Sequence, residues 1–225
     1  SSDANEPNAL GQGGAMHFWA TEADIIDCNI SRNQAEASGG GVYFGGESAP
    51  SLTNCLLTEN TAGRDGGGIS ANIFNQLAIF NCTIAGNIVT GIGFEYGYGG
   101  GLHCSHNSYT DLIDSILWGN TSTNGSQIAI GTGFEYDPLP STVDVSYSNV
   151  QGERSLVFVD ENCTLNWGVG NVHTDPCFVT GPLGDYYLSQ TNTNDPKQTT
   201  DSPCVDAGSD LAINVGLHLY KGEFC

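Results

Sequence analysis

A repeat of about 27 residues is the feature that most restricts how this chain can fold. Cys28, Cys55 and Cys82 are evenly spaced, and an equivalent series of asparagines has the same spacing with one longer final interval: Asn33, Asn60, Asn87 and Asn120. Each asparagine ends a phrase in which apolar residues and a Cys or Ser recur at fixed positions. A repeat of this length, with short strands and glycine turns, is typical of a solenoid.

The residues within one repeat favour strands over helices. Three segments begin with a glycine triplet and continue with alternating apolar and polar residues: 39–44, 66–71 and 99–104. That alternation has the period of a strand, and 31 glycines in 225 residues disfavour long helices. Parallel strands stack about 4.8 Å apart, so equivalent side chains should lie above one another. The sequence predicts an all-β, single-domain parallel β-helix of about five to six coils with a less regular C-terminal cap.

Four columns of stacked side chains follow from the alignment of the repeats. Three of them are apolar and are predicted to fill the interior: Met16, Val42, Ile69, Leu102 and Ile128; Ile25, Leu52, Ile79, Leu112 and Val145; Ile30, Leu57, Ile84, Leu117 and Val150. The fourth is a corner column of small residues: Cys28, Cys55, Cys82, Ser115 and Ser148. Its cysteines, and the inward-pointing Cys104, are interpreted as small buried hydrophobes, although adjacent stacked pairs can also oxidise.

Two further rows of equivalent residues lie at turns or on the outside. Stacked asparagines form hydrogen-bonded ladders, so Asn33, Asn60, Asn87 and Asn120 are predicted to be structural. The strand alternation also points one row away from the interior: His17, Tyr43, Ser70, His103 and Ala129. This outward row is either a face that binds a ligand through His17, Tyr43 and His103, or an ordinary solvated surface.

The charge of the chain restricts its partners. With 25 Asp and Glu against 5 Lys and Arg, the formal net charge is −20 at pH 7, which opposes binding to nucleic acid and to anionic membranes. Carboxylates are good ligands for Ca²⁺, which is therefore a candidate cofactor, although the charge can also serve solubility alone. No apolar run reaches the roughly 18 residues of a membrane-spanning helix, so membrane insertion is not expected.

Two copies of a Gly-x-Gly-Phe-Glu-Tyr motif interrupt the repeat, at 91–96 and 131–136. Each copy places aromatic rings and a carboxylate outside the predicted core, a combination suited to stacking on sugars, binding Ca²⁺ or packing on another subunit. The candidate binding residues are Phe94, Glu95, Tyr96, Phe134, Glu135, Tyr136 and Asp137. The candidate Ca²⁺ ligands among them are Glu95, Glu135 and Asp137.

Four cysteines lie in the less regular C-terminal part, where a disulfide is more plausible than in the coils. The predicted pairs are Cys177–Cys204 and Cys163–Cys225. Paired cysteines indicate an oxidising, extracytoplasmic compartment. A zinc site is not favoured, because the chain has no Cys-x-x-Cys spacing.

The repeat divides the chain into three parts. Regular coils occupy 13–152, and a degenerate coil and C-terminal cap are predicted for 153–225. Residues 1–12 are polar and are predicted to form a tail that docks on a neighbouring subunit. The chain has neither an initiating Met nor a signal peptide, from which we expect a processed form or a fragment.

Five phrases, in a defined order, carry a resemblance to a known family. They are Asp114-Ser115-Ile116-Leu117-Trp118-Gly119-Asn120, Tyr147-Ser148-Asn149-Val150-Gln151-Gly152, Asp175-Pro176-Cys177-Phe178, Gly184-Asp185-Tyr186-Tyr187-Leu188 and Ser202-Pro203-Cys204-Val205-Asp206-Ala207-Gly208. From 39 to 208 the chain resembles the large bacterial family of secreted right-handed parallel β-helix proteins that includes choice-of-anchor and polymorphic-outer-membrane-like repeats. The resemblance implies a right-handed coil and a secreted or cell-surface location, and it implies no single activity. The family's usual Asp-Ile-Gly ending is replaced here by Asn214-Val215-Gly216.

Three classes of function remain. Many β-helices are polysaccharide lyases or hydrolases, but the 5 Lys and Arg residues are scattered and no Asp-Asp pair is present, so an enzyme is not expected. Arg32 and Glu59, equivalent by alignment, are adequately explained as a structural ion pair.

An adhesin or glycan-binding module would use the Phe-Glu-Tyr loops on glycans or a cell surface. A structural protein would stack end to end, since an uncovered coil exposes strand edges. The sequence favours the last class, an extracellular homo-polymer in a filament or surface layer.

Overall fold

Each coil of the computed structural model is built from up to four short strands. The structure describes residues 11–91, 97–133, 138–181, 184–193, 195–205 and 207–209. In chain order the strands are β1 (Met16–Trp19), β2 (Asp24–Ile26), β3 (Asn29–Ser31), β4 (Gln34–Ala35), β5 (Val42–Gly45), β6 (Ser51–Thr53), β7 (Leu56–Thr58), β8 (Thr61–Ala62), β9 (Ile69–Asn72), β10 (Gln76–Phe80), β11 (Thr83–Ala85), β12 (Ile88–Val89), β13 (Leu102–Ser105), β14 (Tyr109–Ile113), β15 (Ile116–Trp118), β16 (Ile128–Gly131), β17 (Thr142–Ser146), β18 (Asn149–Val150), β19 (Val157–Val159), β20 (Thr164–Trp167), β21 (Phe178–Gly181) and β22 (Gly184–Leu188). Short 3-10 helices span Glu153–Leu156 and Thr191–Thr193. In these ranges no helix is long and apolar enough to cross a membrane.

Strands of successive coils pair to form four parallel sheets that run along the stack. Sheet A has the order β1-β5-β9-β13-β16-β19, and sheet B has the order β2-β6-β10-β14-β17-β20. Sheet C contains β18-β15-β11-β7-β3, and the small sheet D contains β12-β8-β4. Equivalent strands of neighbouring coils are parallel and in register, as between β5 and β9. The predicted parallel β-helix is therefore confirmed, with six strands in each of the two largest sheets.

The register also confirms the three predicted apolar columns. The first column runs through sheet A, the second through sheet B and the third through sheet C. In the central coils these side chains have no solvent exposure: Val42, Ile69, Leu102, Leu52, Ile79, Leu112, Leu57, Ile84 and Leu117. Burial of this continuous apolar interior is the main stabilising contribution to the stack, since the strands themselves are too short to be stable alone.

The glycine triplets form the turn that leads from sheet D into sheet A. Gly66 has a left-handed backbone conformation with φ of +61°, which favours glycine. A Cβ on Gly40 would lie 2.3 Å from the carbonyl oxygen of Gly67 in the next coil, and a Cβ on Gly67 would lie 2.4 Å from that of Gly100. Neighbouring coils therefore approach too closely at this turn to admit side chains.

A second corner, between sheets B and C, uses a left-handed residue directly before the Cys/Ser column. Asp27, Asn54, Asn81 and Asp114 have φ values of +51° to +55°, and Asn and Asp tolerate this conformation better than other side chains. The amide of Asn54 donates to the carboxylate of Asp27, and the amide of Asn81 donates to the side-chain oxygen of Asn54 at 3.3 Å. This corner therefore carries its own polar column on the outside of the stack.

After the last coil the chain returns along the side of the stack. Strands β21 and β22 form an antiparallel hairpin, from which the Tyr186 hydroxyl donates to the Glu59 carboxylate at 3.3 Å. Further along, the backbone N–H and the hydroxyl of Ser209 both donate to the Asp114 carboxylate at 2.6 Å. The described part of the C-terminal region therefore lies against the flank of the coils beside sheet C.

Candidate functional site

The recurring asparagines form a ladder of hydrogen bonds at the corner between sheets C and D. The side-chain oxygen of Asn60 accepts the backbone N–H and the side-chain amide of Asn33, both at 3.0 Å. The pairs Asn60–Asn87 and Asn87–Asn120 repeat this arrangement at 2.9 and 3.0 Å. The Asn60 amide also donates to the Ile30 carbonyl at 2.8 Å. Because these side chains satisfy buried main-chain groups at a corner, their role is structural.

The corner column of cysteines and serines also forms hydrogen bonds, beyond its expected role as a set of small hydrophobes. The backbone N–H of Cys55 donates to the sulfur of Cys82 at 3.4 Å, and the N–H of Cys82 donates to the hydroxyl of Ser115 at 3.0 Å. The N–H of Ser115 donates in turn to the hydroxyl of Ser148 at 3.1 Å. Thiol and hydroxyl thus perform the same task, since each accepts a corner N–H of the preceding coil.

The outward row of sheet A is covered, in contrast to the exposed face expected for it. Its members pair in the predicted register, but only His17 is exposed, and the other four have at most 7% exposure. Neighbouring rings pack against the row: the ring centroids of His17 and Tyr43 are 5.0 Å apart, and those of Tyr98 and His103 are 6.2 Å apart. The prediction of an exposed binding face is therefore wrong for Tyr43 and His103, because the alternation of a strand gives direction but not cover.

A charged cluster lies beside the covered row, on the turn that leads into sheet A. The guanidinium of Arg64 contacts the Asp65 carboxylate at 2.6 Å and the Ser38 hydroxyl at 3.2 Å. Ser38, Asp65 and Tyr98 belong to successive coils and are joined by parallel bridges. The Tyr98 ring packs near the His103 ring, with centroids 6.2 Å apart. The buried charge of Asp65 is thus compensated by Arg64, as a buried carboxylate requires.

His103 and Ser70 are in-register neighbours in adjacent coils. Among the described residues, His103 Nδ1 and Ser70 Oγ are buried without a hydrogen-bond partner. Burial lowers the pKa of His103, with a smaller opposing effect of Asp65 and a further lowering by Arg64. Burial also raises the pKa of Tyr43. Both rings are therefore neutral near pH 7.

One Phe-Glu-Tyr loop lies between β12 and β13, and the other lies between β16 and β17. The first therefore precedes a strand of sheet A in the chain, and the second follows one. The candidate binding residues on them lie outside the described residues: Phe94, Glu95, Tyr96, Phe134, Glu135, Tyr136 and Asp137. This includes the candidate Ca²⁺ ligands Glu95, Glu135 and Asp137. In the part of the chain that is described, no group of three or more His, Cys, Asp or Glu side chains is placed to hold a metal ion.

The predicted disulfide between Cys177 and Cys204 is not formed. Both are free thiols, as is Cys163, whose predicted partner Cys225 lies outside the described residues. The sulfurs of Cys177 and Cys204 form hydrogen bonds with other groups. Cys204 accepts the Asn149 amide at 3.0 Å, and Cys177 donates to the carbonyl of Asp175 at 3.5 Å. The spacing of cysteines along the sequence does not show which groups will lie next to each sulfur in the folded chain.

Arg32 and Glu59 form the ion pair that their equivalent positions predict, with 2.6 Å between nitrogen and oxygen. The side chains are 74% and 36% exposed, so solvent screens the pair and its contribution to stability is small. The Tyr186 hydroxyl contacts the same carboxylate. This arrangement attaches the C-terminal hairpin to the coils.

A tyrosine–carboxylate cluster on the outer face of sheet B was missed in the sequence. The Tyr109 hydroxyl lies 2.7 Å from Asp111 and 2.9 Å from Asp144, and the Asn166 amide donates to Asp144 at 2.7 Å. Burial, followed by the contacts with both carboxylates, raises the pKa of Tyr109. The interval between Asp111 and Asp144 would have identified them as neighbours, because the same interval separates the stacked Asn87 and Asn120.

A cleft of about 230 Å³ lies between the corner of sheets B and C and the returning C-terminal segment. Its lining on the side of the coils includes the amides of Asn54 and Asn81, the carboxylate of Asp114 and the ring of Tyr147. Leu188 and Cys204 are among the residues on the opposite side. A ring beside amides and a carboxylate is suited to a small hydroxylated ligand such as a sugar.

Comparison with known proteins does not extend this description. No protein-family model, no curated protein and no solved structure matches the chain. The resemblance of its ordered phrases to secreted β-helix repeat proteins therefore stays a prediction.

Proposed function

We propose that this chain is an extracellular, non-enzymatic structural β-solenoid that assembles head to tail into a filament or surface layer. The observation that carries the proposal is the partial exposure of apolar side chains in the sheet A strand of the first described coil. Met16 and Phe18 are partly exposed there, whereas their counterparts one coil later, Val42 and Phe44, are completely buried. An apolar cross-section of this kind is stabilised when another coil covers it.

The strand edges of the stack support a second copy of the chain as the covering partner. β1, β2, β3 and β4 are each the terminal strand of their sheet, and β19 and β20 are the terminal strands at the other end of sheets A and B. The column that begins at Met16 ends at Val157, and the column that begins at Ile25 ends at Trp167. A first coil placed on a last coil would thus continue both columns. Such a contact is heterologous and does not close, so it produces a fibre.

Charge determines the conditions for this assembly. Asp24 and Asp27 lie on the first coil, and Asp160 and Glu161 lie beside the last one. Joining two acidic ends is opposed by repulsion, which salt screens and which Ca²⁺ relieves by binding carboxylate oxygens. Ca²⁺ is therefore the ion we expect at the joints.

The covered outward row supports a role other than catalysis. Tyr43 and His103 are the titratable side chains of that row in the central coils, and both are buried. A general acid or base must come within hydrogen-bond reach of its substrate, which this cover prevents for a polysaccharide.

Negative-stain electron microscopy and sedimentation of the purified chain, in Ca²⁺ and then in EDTA, test the proposal. We expect regular fibres in Ca²⁺ that dissociate in EDTA. Isolated monomers at high concentration in both conditions would contradict the proposal. That result is expected if a segment of the same chain covers the first coil.

A variant at the exposed strand edge makes this test specific. The N–H of Arg32 donates to Thr58 of the next coil, and N–H groups alternate in direction along a strand, so the N–H of Ser31 points to the open side. Ser31→Pro removes this donor and should prevent fibres, while the matched control Ser31→Ala keeps the N–H and should still assemble.

The cleft beside Tyr147 favours a second candidate function, that of a glycan-binding module. Asn81 and Asp114, which also hydrogen-bond to Asn54 and Ser209, line the cleft together with the exposed ring of Tyr147. Titration with a panel of mono- and disaccharides, followed by NMR, should give shifts that Tyr147→Ser abolishes. Tyr187→Ser, at an exposed tyrosine on β22, is the matched control. If no sugar produces shifts in the native chain, this second function is excluded.

A further inference from the structure

Cys55 and Cys82 occupy equivalent positions in adjacent coils, directly before the paired strands β7 and β11. The N–H of Thr83 donates to the Cys55 carbonyl at 2.9 Å, which holds the two corners in register. The Cys55 N–H donates to the Cys82 sulfur at 3.4 Å. Two sulfurs are thus brought together by the main-chain register of the coils.

The spacing of the coils meets the Cα requirement of a disulfide. Neighbouring parallel strands are about 4.8 Å apart, and disulfides join residues whose Cα atoms are about 4.4 to 6.8 Å apart. We propose that Cys55 and Cys82 are a redox-active pair that closes into a disulfide between coils when the chain meets an oxidising thiol–disulfide buffer. The bond would link two adjacent coils covalently across the interior corner.

The column itself selects this pair over the alternatives. Above Cys82 the column continues with Ser115, whose hydroxyl cannot form such a bond. Below Cys55 lies Cys28, which is partly exposed on the first coil. The thiols of all three cysteines donate to the carbonyl two residues earlier, at 3.2 to 3.3 Å, but the N–H of Cys55 points to the sulfur of Cys82. Cys82 therefore has one cysteine neighbour in the column, and that neighbour is Cys55.

The two thiols differ in acidity, which assigns their roles in the exchange. The nearby Cys82 thiol lowers the pKa of Cys55, whereas the nearby Cys55 thiol and burial raise the pKa of Cys82. The thiolate is the nucleophile in thiol–disulfide exchange, so Cys55 attacks first when a local opening admits the oxidant and leaves the two thiols side by side. Cys104, by contrast, is a buried thiol whose pKa is raised to about 12, which makes it inert.

The exchange with glutathione disulfide is balanced in two steps. The Cys55 thiolate attacks one sulfur of glutathione disulfide, forming a mixed disulfide and releasing one glutathione thiolate. Cys82 then loses its proton and attacks the Cys55 sulfur, which forms the bond between coils and releases the second glutathione. The chain loses two electrons and two protons, and glutathione disulfide is reduced to two glutathiones. Because both thiols are buried, the exchange takes place during folding or in a locally opened coil.

Refolding followed by tryptic mapping tests the proposal. The full chain is unfolded and reduced, refolded in a mixture of oxidised and reduced glutathione or in dithiothreitol, alkylated and digested. Cleavage after Arg32, Arg64 and Arg154 separates Cys28 in peptide 1–32, Cys55 in 33–64, and Cys82 with Cys104 in 65–154. We expect peptides 33–64 and 65–154 to be linked after refolding in glutathione, with fragmentation placing the bond at Cys82.

Three results would overturn the proposal. One is alkylation of both Cys55 and Cys82 after refolding in glutathione; the second is a link between 1–32 and 33–64; the third is a bond at Cys104. The column supplies matched controls, because Ser115 and Ser148 show that serine is accepted at this corner. Cys28→Ser should retain the link, and Cys82→Ser should lose it.

Thermal unfolding gives a second readout of the same bond. The disulfide would close a loop one repeat long, so the oxidised chain should melt roughly 5 to 10 °C above the reduced chain. A difference of the same size in Cys82→Ser would also overturn the proposal, since that variant lacks the bond.

Discussion

The side-chain oxygen of Asn60 accepts hydrogen bonds from both the backbone N–H and the side-chain amide of Asn33, its equivalent one coil earlier. The same pair of bonds joins Asn60 to Asn87 and Asn87 to Asn120. A corner has no strand ladder to satisfy its main chain, and the asparagines perform this task from one coil to the next. The register of the stack is therefore specified by polar side chains as well as by the apolar columns.

Replacing an asparagine in the middle of this ladder should be costly. Asn87 is fully buried, and Asn87→Ala leaves the Asn60 N–H and the Leu57 carbonyl without their partner. We expect a loss of about 2 to 4 kcal/mol in the free energy of unfolding, measured in urea. Asn33→Ala, on the partly exposed first coil, is the matched control and should cost about 1 kcal/mol or less. Equal losses in the two variants would contradict the burial argument.

The glycine turns should not tolerate even a methyl group. In Gly66→Ala the new Cβ would lie 2.2 Å from the Ile69 carbonyl oxygen, at a φ of +61°. We expect either no soluble folded protein or a loss of about 3 kcal/mol or more, measured by circular dichroism during thermal unfolding. Gly119→Ala is the control, because its φ of +67° is similar but the nearest atom lies 3.9 Å from the added Cβ. Its expected cost is about 1 kcal/mol.

Stability should fall on mild acidification because of His103. Burial lowers its pKa below the value of 6.5 for a free histidine, so below about pH 6.5 the unfolded chain binds a proton more readily than the folded one. The His103 contribution is thus complete above pH 6.5 and is lost as the pH falls toward the folded pKa. Melting temperatures from pH 8 to pH 5 should show this decrease.

The variant His103→Ala tests the assignment of that pH dependence, since Ala129 occupies the equivalent buried position. The slope of melting temperature against pH should become smaller in this window. His17→Ala serves as the control: His17 also has a lowered pKa but is exposed, so its effect on the slope should be smaller. An unchanged slope in His103→Ala would assign the acid sensitivity to other groups.

The hydroxyl of Tyr109 should be needed to keep Asp111 and Asp144 together. Tyr109→Phe removes its contacts with two carboxylates that are in-register neighbours. We expect a loss of about 1 to 2 kcal/mol at pH 7, part of which should be recovered in high salt, because repulsion between exposed charges is screened. Adding Asp144→Asn should also recover part of it, since Asn166 occupies the equivalent position of the next coil. A salt-independent loss would show that repulsion is not involved.

Repeat spacing was sufficient to predict the coils, their parallel pairing and the three apolar columns. The reason is that like residues such as Leu52 and Ile79 are one repeat apart, and the strands bring that spacing into direct contact. The same spacing predicted the Arg32–Glu59 pair and would have predicted the neighbours Asp111 and Asp144. Regular stacking converts sequence distance into spatial distance with a simple rule.

Tertiary structure alone decided the features that do not obey that rule. Tyr43 and His103 point outward as predicted, but neighbouring residues cover them, and strand alternation contains no information about cover. The C-terminal segment returns along the flank through contacts between residues far apart in sequence, Ser209 with Asp114 and Tyr186 with Glu59. These contacts have no period, because each depends on the path of a chain that has left the stack. Packing of the whole molecule, rather than the repeat, determines where such a segment lies.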